Sequence, residues 1–284
     1  MICFLESGRL GNQLFQYAAL RTIAKTEERL ILFGFADLRA TFDGLVGTIV
    51  FEPPGVLSRL ATRFRPQIDN FMKYQPLINV ISERHDESGT HVETSRRLIG
   101  NIQYVEMSYF QSESIFDERV VESLTLKTQL SVKALQRSAS LAAFGRKRIF
   151  VHVRRGDHLR WPSAHFPAVL PAVWYKKCIE TLRARLGDPV FVFVTDDVYY
   201  VRDVFGDMAD ACISETGPAD DFALMCQCDG GILSASSFAW WASYFLKKRL
   251  PGAVCLAPEY WAGHRSHEWH PPNINARFLE TVSV

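Results

Sequence analysis

The chain holds 284 residues, which is room for one large domain or two medium ones, because domains usually contain about 100–150 residues. Hydrophobic residues make up 48% and charged residues 22%, a composition that excludes fibrous and disordered classes and indicates a sizeable core. The 32 Lys and Arg against 31 Asp and Glu give a formal net charge of +1. Nucleic acid is therefore not an expected partner, and any anion must be recognised locally.

The cysteines and the apolar runs bear on location. The six cysteines show neither the paired spacing of a zinc site nor a disulfide framework, so we expect reduced thiols. The sequence has no signal-peptide pattern and no run of about 18 apolar residues. We expect a cytoplasmic protein without a transmembrane segment. Any association with the inner face of the membrane would be peripheral.

The first residues predict a βαβ unit. Residues 2–5 form a short apolar run, a glycine turn follows at residues 8–13, and apolar residues then recur at helical spacing. Residues 30–35 predict a second buried strand. Prolines interrupt any period between residues 53 and 100, where we expect loops and short helices.

The second half alternates more cleanly between strand and helix. A strand is predicted at residues 102–107 and a helix at 123–144; strands follow at 149–153, 190–194, 231–233 and 253–256, and helices at 174–186, 221–228 and 238–250. Continuous apolar strands between helices are typical of a parallel sheet covered on both faces. A boundary is expected near Gly145-Arg146-Lys147-Arg148, which predicts domains at residues 1–145 and 146–284.

Polar residues follow three strands of the second half. They are Arg154-Arg155-Gly156-Asp157, Thr195-Asp196-Asp197 and Ser234-Ala235-Ser236-Ser237. Open α/β sheets bind ligands at the carboxyl ends of their strands, so these loops converge on one crevice if the strands are neighbours. Two adjacent arginines on an extended segment point to opposite sides, so one reaches the crevice while the other is tied to a carboxylate.

An arginine suits a pyrophosphate because its guanidinium stays charged and matches phosphate geometry. Arg154 and Arg155 are the candidates, and a surface ion pair is the competing interpretation of either. Ser236 and Ser237 lead into a helix, whose amino end attracts anions; a plain N-cap is their competing interpretation.

The other polar residues also have two interpretations. Asp196 and Asp197 fit a capping pair and lack the Asp-x-Asp spacing that commonly holds a divalent ion, so we expect neither a metal ion nor a cofactor. His152 is either a ligand contact or a satisfied core histidine. Trp240 is either core or a stacking platform for a sugar.

Five segments stand out in order along the chain, at residues 8–18, 109–112, 151–157, 221–225 and 236–241. Together they resemble the α-1,2-fucosyltransferase family. The resemblance implies an α/β, GT-B-like fold with two Rossmann-like domains facing each other across a cleft. It also implies inverting, metal-independent transfer of fucose from GDP-fucose to the 2-hydroxyl of a galactose-terminated oligosaccharide or lipid-linked glycan.

The resemblance also assigns roles. The acceptor would be held chiefly by the first half and GDP by the second, with Arg154 at the β-phosphate, Asp221 at the guanine or ribose and the serines at the phosphates. The predicted donor-binding residues are Arg9, His152, Arg154, Arg155, Asp196, Asp221, Ser236, Ser237 and Phe238. The predicted acceptor-binding residues are Tyr109, Gln111 and Trp240, and the predicted catalytic residues are Arg154, Asp157, His158 and Asn12.

Two positions depart from the family pattern. His158 stands where tyrosine is usual, and Ser108 where glycine is usual, and both bear on the choice of acceptor. Asp157 and His158 are the candidate general bases, while Asp157 also fits a turn residue or the ion-pair partner of Arg155. The alternative functions are a fucosyltransferase with another acceptor and a non-catalytic nucleotide- or glycan-binding module.

Overall fold

The computed structural model describes residues 1–86, 89–95, 102–141 and 146–284. The chain divides into two compact units, Met1–Lys127 and Thr128–Val284. None of the helices within these described ranges is both long and apolar enough to cross a membrane.

The first unit is an α/β unit built on a six-stranded sheet. Its elements are β1 (Ile2–Leu5), α1 (Leu10–Ile23), β2 (Leu30–Phe33), α2 (Ala36–Thr41), β3 (Phe42–Asp43), β4 (Thr48–Phe51), α3 (Gly55–Arg63), α4 (Arg65–Lys73), β5 (Ile78–Asp86), β6 (Gly89–Ser95), β7 (Ile102–Val105), α5 (Glu118–Glu122) and β8 (Thr125–Leu126). The strand order is β4-β2-β1-β7-β5-β6, and β3 pairs with β8 separately.

The predicted βαβ unit is confirmed, because β1 and β2 pair in parallel around α1. The expectation for residues 53–100 is only half right. The short helices are present as α3 and α4, but β5 and β6 form an antiparallel hairpin where loops were expected. Both strands carry many polar, exposed side chains, so they lack the continuous apolar run that marked the other strands. Residues 87–88 and 96–100 of this stretch lie outside the described residues.

The second unit has a six-stranded sheet in which every pairing is parallel. Its elements are α6 (Thr128–Leu141), β9 (Arg148–Val153), α7 (Ala172–Leu186), β10 (Val190–Thr195), α8 (Val198–Phe205), β11 (Ala211–Ile213), α9 (Pro218–Gln227), β12 (Gly230–Ile232), α10 (Ser237–Arg249), β13 (Val254–Pro258) and β14 (Glu280–Val282). The order β11-β10-β9-β12-β13-β14 places β9 between β10 and β12. The parallel sheet predicted for this half is thereby confirmed.

The core of this unit explains why its strands were recognisable. Ile149, Val151 and Val153 of β9 pack with Trp174 and Ile179 of α7, and all are buried. Burial on both faces requires apolar residues at nearly every strand position, which is the pattern seen in the sequence.

The helix α6 belongs to the second compact unit, which begins at Thr128. It packs against α9. Arg148, at the start of β9, forms an ion pair with Asp229 at 2.8 Å and donates to the Ser138 carbonyl oxygen on α6 at 3.2 Å. The last positions of the predicted helix, residues 142–144, lie outside the described residues.

Candidate functional site

The three polar loops of the second unit lie at the same edge of its sheet. Thr195 pairs with Val153, and Ile232 pairs with Val151, so the carboxyl ends of β10, β9 and β12 are aligned. The residues that follow these strands therefore meet, as the sequence predicted.

Arg154 lies between two carboxylates at this edge. Its Nη2 is 2.7 Å from Asp157 Oδ1, its Nε donates to the same oxygen at 2.9 Å, and its Nη1 is 3.0 Å from Asp196 Oδ2. Burial alone would raise the pKa of Asp157, but the charge and hydrogen bond of Arg154 outweigh it and lower that pKa. The Arg154 side chain is only 17% exposed and is held in place before any ligand arrives.

Arg155 is the arginine whose side chain is held by a structural carboxylate and an aromatic ring. Its Nε donates to Asp197 Oδ2 at 2.9 Å, and its guanidinium lies 3.6 Å from the centre of the Tyr200 ring. Asp197 also caps α8 by accepting from the Tyr200 backbone N–H at 3.0 Å, so the capping interpretation holds for this residue. Asp196 instead accepts from the Arg155 backbone N–H at 2.9 Å.

The predicted pairing of Asp157 with Arg155 is wrong. The chain leaves the extended conformation at Gly156, and Asp157 begins a short 3-10 turn that ends at Leu159. This turn carries the Asp157 carboxylate back to Arg154 three residues earlier, and away from Arg155.

His152 is a buried histidine with a partner. Its Nδ1 is 2.7 Å from Ser234 Oγ, and its ring lies 5.6 Å from that of Phe238 at the start of α10. Burial, with a smaller contribution from the Arg154 charge, lowers its pKa to about 3. His152 is thus neutral at physiological pH and ties β9 to the serine loop, which matches the core interpretation.

His158 is buried but lacks such a partner. Its Nδ1 has no hydrogen bond among the described residues, and burial lowers its pKa to about 4. Its ring stacks on Trp161 with centres 5.3 Å apart, and Trp161 is also 5.5 Å from the ring of His270. Trp161 remains 39% exposed.

Sequence reasoning missed this aromatic group. Trp161 and His270 are far apart along the chain and share no motif. The only signal was the tryptophan shortly after the Arg-Arg-Gly-Asp segment. An exposed aromatic ring such as that of Trp161 offers a flat apolar face to a sugar ring or a base.

The amino end of α10 lies at the same edge. Ser236 occupies the N-cap position, but its hydroxyl makes no capping hydrogen bond, and its backbone N–H donates to the Ser234 carbonyl oxygen at 2.7 Å. Ser236, Ser237 and Phe238 are all partly exposed. The positive end of the helix dipole is therefore available to an anion.

Asp221 is buried after β11, in the first turn of α9. It accepts hydrogen bonds from the Ser214 hydroxyl and, at 2.7 Å, from the Thr216 hydroxyl. Burial raises its pKa, and the two hydroxyls only partly offset that effect. The loop of Ser214 and Thr216 extends the site along the sheet edge and had no recognisable sequence signal.

Trp240 is not placed to bind an acceptor. Its side chain is fully buried, its indole N–H donates to the Ile274 carbonyl oxygen at 3.2 Å, and its ring stacks on Tyr244. It lies on α10 only three residues after Ser237, but on the side of the helix that faces the core. The acceptor prediction for Trp240 is corrected to a core role.

The first unit brings its own predicted residues together. β1 and β7 are paired neighbours, so the turn after β1 and the segment after β7 share the carboxyl edge of that sheet. Gln111 donates to Asn12 Oδ1 at 2.7 Å. Arg9 is exposed at the N-cap of α1, and Tyr109 is exposed while its backbone N–H donates to Glu83 at 2.9 Å.

The turn before α1 depends on Gly8. Its φ is +90°, and a Cβ there would lie 2.1 Å from Asn12 Nδ2. Glycine thus allows Asn12 to fold back against the turn. Gln16 completes the arrangement, because it donates to the carbonyl oxygens of Ser7 at 2.8 Å and Ser108 at 3.1 Å.

The fold resembles that of solved fucosyltransferases. The fucosyltransferase NodZ from Bradyrhizobium aligns with a TM-score of 0.51 at 14% identity, over 86% of this chain and 92% of that chain. NodZ alpha-1,6-fucosyltransferase co-crystallized with GDP aligns with a TM-score of 0.50 at 14% identity, over 85% and 91%. The predicted α/β, GT-B-like fold class is confirmed.

The sequence is similar to animal enzymes. Galactoside alpha-(1,2)-fucosyltransferase 1 of Rattus norvegicus is 28% identical over 260 residues, which cover 84% of this chain and 61% of the relative. The protein of the same name from Bos taurus is 28% identical over 263 residues, with coverage of 84% and 64%. The chain thus spans less than two thirds of the length of these relatives. The family model described as glycosyl transferase family 11 matches residues 72–268, and the chain belongs to that family.

Proposed function

We propose that the protein is an inverting, metal-independent glycosyltransferase that moves L-fucose from GDP-β-L-fucose to the 2-hydroxyl of a terminal galactose-type residue, forming an α-1,2 linkage. The observation that carries the proposal is the position of Arg154 at the sheet edge of a family 11 chain, beside the uncapped amino end of α10. The relatives named galactoside alpha-(1,2)-fucosyltransferase support the acceptor and the linkage.

The donor would bind to the second unit. The diphosphate takes the place of the Asp157 and Asp196 carboxylates on Arg154, and its second phosphate meets the backbone N–H groups near Ser236 and Ser237. Asp221 would take the guanine or the ribose. NodZ was co-crystallized with GDP in a similar fold, which supports a nucleotide site of this type.

The reaction would break the bond between fucose C1 and the β-phosphate oxygen as the acceptor oxygen bonds to C1 from the opposite face. Negative charge grows on the β-phosphate, where Arg154 and the amino end of α10 stabilise it without reorganising. This fixed positive charge takes the role that a metal ion has in other nucleotide-sugar enzymes.

The acceptor hydroxyl loses its proton to a general base as the new glycosidic bond forms. Asp157 and His158 are the candidates in the second unit. His158, with a pKa of about 4, is neutral but weakly basic at neutral pH. A hydroxyl that attacks a well-developed cation needs only a weak base.

The acceptor would be held by Asn12, Tyr109 and Gln111 of the first unit, with Arg9 beside the transferred sugar. We further propose that the protein acts in the cytoplasm on a soluble or lipid-linked glycan. Six cysteines without disulfide bonds support a reducing compartment.

The test incubates the full chain with GDP-fucose, lactose and EDTA, and follows GDP release and the appearance of a fucosylated trisaccharide. We expect a trisaccharide in which the galactose 2-hydroxyl is substituted, as checked by NMR. Another linkage would indicate a fucosyltransferase with a different acceptor. GDP-fucose binding without product or GDP release would indicate a binding module and would overturn the proposal.

A further inference from the structure

The helix α3 turns apolar side chains to solvent. Val56, Leu57, Leu60 and Phe64 are 69%, 56%, 46% and 47% exposed. None of the side chains described in α3 is buried, and only Ala61 is partly covered. A helix of a globular protein normally packs its apolar stripe against the core, so the stripe of α3 lacks its usual cover.

The exposed residues form one stripe with arginines beside it. Val56, Leu60 and Phe64 recur every fourth residue and so lie along one side of the helix. Arg59 follows Val56 by three residues, and Arg63 follows Leu60 by three, so both are exposed neighbours of the stripe. Apolar residues bordered by arginines are typical of helices that lie at a membrane surface.

The next helix, α4, holds this segment on the first sheet. Arg65 is buried and donates to the carbonyl oxygens of Leu5 at 2.5 Å and Val105 at 3.2 Å, which end β1 and β7. Phe71 of α4 and Tyr74 at its C-cap are 62% and 76% exposed and lie on the same side, because they are three residues apart. The two helices meet at Phe64, so the anchor on α4 also sets the position of α3.

The segment carries an excess of positive charge. Among residues 55–77 the charged side chains are Arg59, Arg63, Arg65, Lys73 and Asp69, which gives +4 − 1 = +3 against +1 for the whole chain. Asp69 is paired with Arg65 at 2.9 Å, and Lys73 is paired with Glu106 at 2.6 Å. Arg59 and Arg63 thus provide the exposed charge beside the stripe.

We propose that this α3–α4 surface, formed by Val56, Leu57, Leu60, Phe64, Phe71 and Tyr74, docks on a bilayer that contains anionic phospholipid. The apolar side chains enter the boundary between headgroups and acyl chains, and Arg59 and Arg63 meet headgroup phosphates. A second copy of the chain is a poorer partner, since a symmetric contact would bring the arginines of both copies together with no exposed carboxylate of this segment between them.

The docking surface is attached at a functional edge. Leu5 and Val105 precede the turn of Asn12 and the segment of Gln111, so Arg65 fixes the α3–α4 surface to the same edge of the first sheet. If the proposed function holds, a docked chain would take a lipid-linked acceptor directly from the bilayer. Only this last step rests on the proposed function.

The experiment measures co-sedimentation of the full chain with vesicles of phosphatidylcholine alone or mixed with phosphatidylglycerol. We expect binding to the mixed vesicles, weakened by salt. Leu60→Ser/Phe64→Ser and Arg59→Glu/Arg63→Glu should each weaken it by at least about tenfold, because each removes two of the groups that would enter the bilayer or contact it. A matched pair on another helix, Val173→Ser/Lys176→Glu on α7, removes one exposed apolar and one exposed basic side chain and should leave binding unchanged.

Circular dichroism and thermal melting establish that each variant is folded, and size-exclusion chromatography gives its oligomeric state. Equal binding of the wild type and the α3 variants, or no binding to mixed vesicles, would overturn the proposal. A dimer that dissociates in the α3 variants would assign the surface to contacts between copies instead. The vesicle assay contains no sugar nucleotide, so its failure leaves the lactose reaction untouched, and the α3 variants should retain that reaction.

Discussion

Arg154 and Arg155 are adjacent in sequence but have different partners. Arg155 is bound by Asp197 and by the face of Tyr200, whereas Arg154 contacts two carboxylates at the open edge of the sheet. An incoming diphosphate can replace those carboxylates on Arg154 without dismantling α8. We therefore expect Arg154 to contact the ligand and Arg155 to hold the loop.

Replacing Arg154 with alanine should lower kcat by about 10²–10³-fold, because one preorganised donor at the developing charge contributes about 3–4 kcal/mol to the barrier. Turnover with GDP-fucose and lactose measures the effect. Arg39→Ala is the control, since Arg39 is exposed, forms a surface ion pair with Glu52 and should leave turnover near wild type. Near wild-type turnover in Arg154→Ala would remove Arg154 from the mechanism.

Asp157→Asn separates two roles of this carboxylate. If Asp157 only pairs with Arg154, its replacement leaves Asp196 as the one charged partner of the guanidinium, and GDP should bind about 1.5–5-fold more tightly, the range of an exposed ion pair. Isothermal titration with GDP measures that change, and kcat should stay within the same range. A collapse of kcat with unchanged GDP affinity would instead make Asp157 the general base.

His152 and His158 should make the protein sensitive to mild acid. Their pKa values in the folded chain are about 3 and about 4, below about 6.5 for an unfolded histidine. The unfolded chain therefore binds more protons below about pH 6.5, and stability is lost as the pH falls through that window. At about 1.4 kcal/mol for each pKa unit, each histidine lowers the free energy of unfolding by about 2 kcal/mol between pH 7 and pH 5.

Urea unfolding at both pH values tests this prediction. His158→Tyr, which restores the residue usual in the resembled family, should recover about 2 kcal/mol of the difference. The matched variant His165→Tyr changes an exposed histidine and should not. Equal pH dependence in wild type and His158→Tyr would contradict the assignment.

At the scale of elements, the positive φ of Gly8 in the turn before α1 leaves room for Asn12, which accepts a hydrogen bond from Gln111. Gly8→Ala and Gly187→Ala both place alanine at a positive φ, +90° and +83°, which strains the backbone and lowers stability in either case. Only at Gly8 does the new Cβ meet a neighbour, Asn12, whereas no atom lies within 4 Å at Gly187.

We therefore expect both variants to lose stability but only Gly8→Ala to change transfer. Gly8→Ala should displace Asn12 from Gln111 and raise KM for lactose by about tenfold, the loss of one good hydrogen bond. Gly187→Ala should keep the wild-type KM. The same KM for both variants would show that the Asn12 contact does not serve the acceptor.

Elements were predictable from the sequence where burial dictates composition. β9 and β10 are buried on both faces and appear as apolar runs, and α10 ends in a basic turn. The hairpin of β5 and β6 escaped notice because β6 is an antiparallel strand at the sheet edge, and the far half of β5 is exposed with it, so neither needs a continuous apolar run. Trp240 had both a core and an acceptor interpretation, since helical spacing alone does not say which side of the apolar first half of α10 faces the core.

At the scale of the whole chain, the convergence of loops followed from topology, but their internal pairing did not. Parallel neighbours must align their carboxyl ends, which placed Arg154, Asp196 and Ser236 at one edge. The partner of Asp157 depends on a single 3-10 turn, and the stack of His158, Trp161 and His270 depends on contacts between distant segments. Neither leaves a periodic signal in sequence.

The division of the chain before α6 leads to a test with two fragments. α6 packs on α9, and Ser138 of α6 accepts from Arg148, so a fragment of residues 128–284 keeps contacts that a fragment of residues 146–284 loses. We expect the longer fragment to fold and the shorter one to be less stable by at least about 2 kcal/mol, from lost apolar burial and an arginine without its acceptor.

The longer fragment should also bind GDP with an affinity close to that of the full chain, because Arg154, Asp221 and Ser236 all lie within it. It should not fucosylate lactose, because Asn12 and Gln111 lie in the first unit. Urea unfolding and isothermal titration measure both properties. A folded 128–284 fragment that fails to bind GDP would mean that the first unit supplies part of the nucleotide site, and Arg9 would then be the first residue to replace.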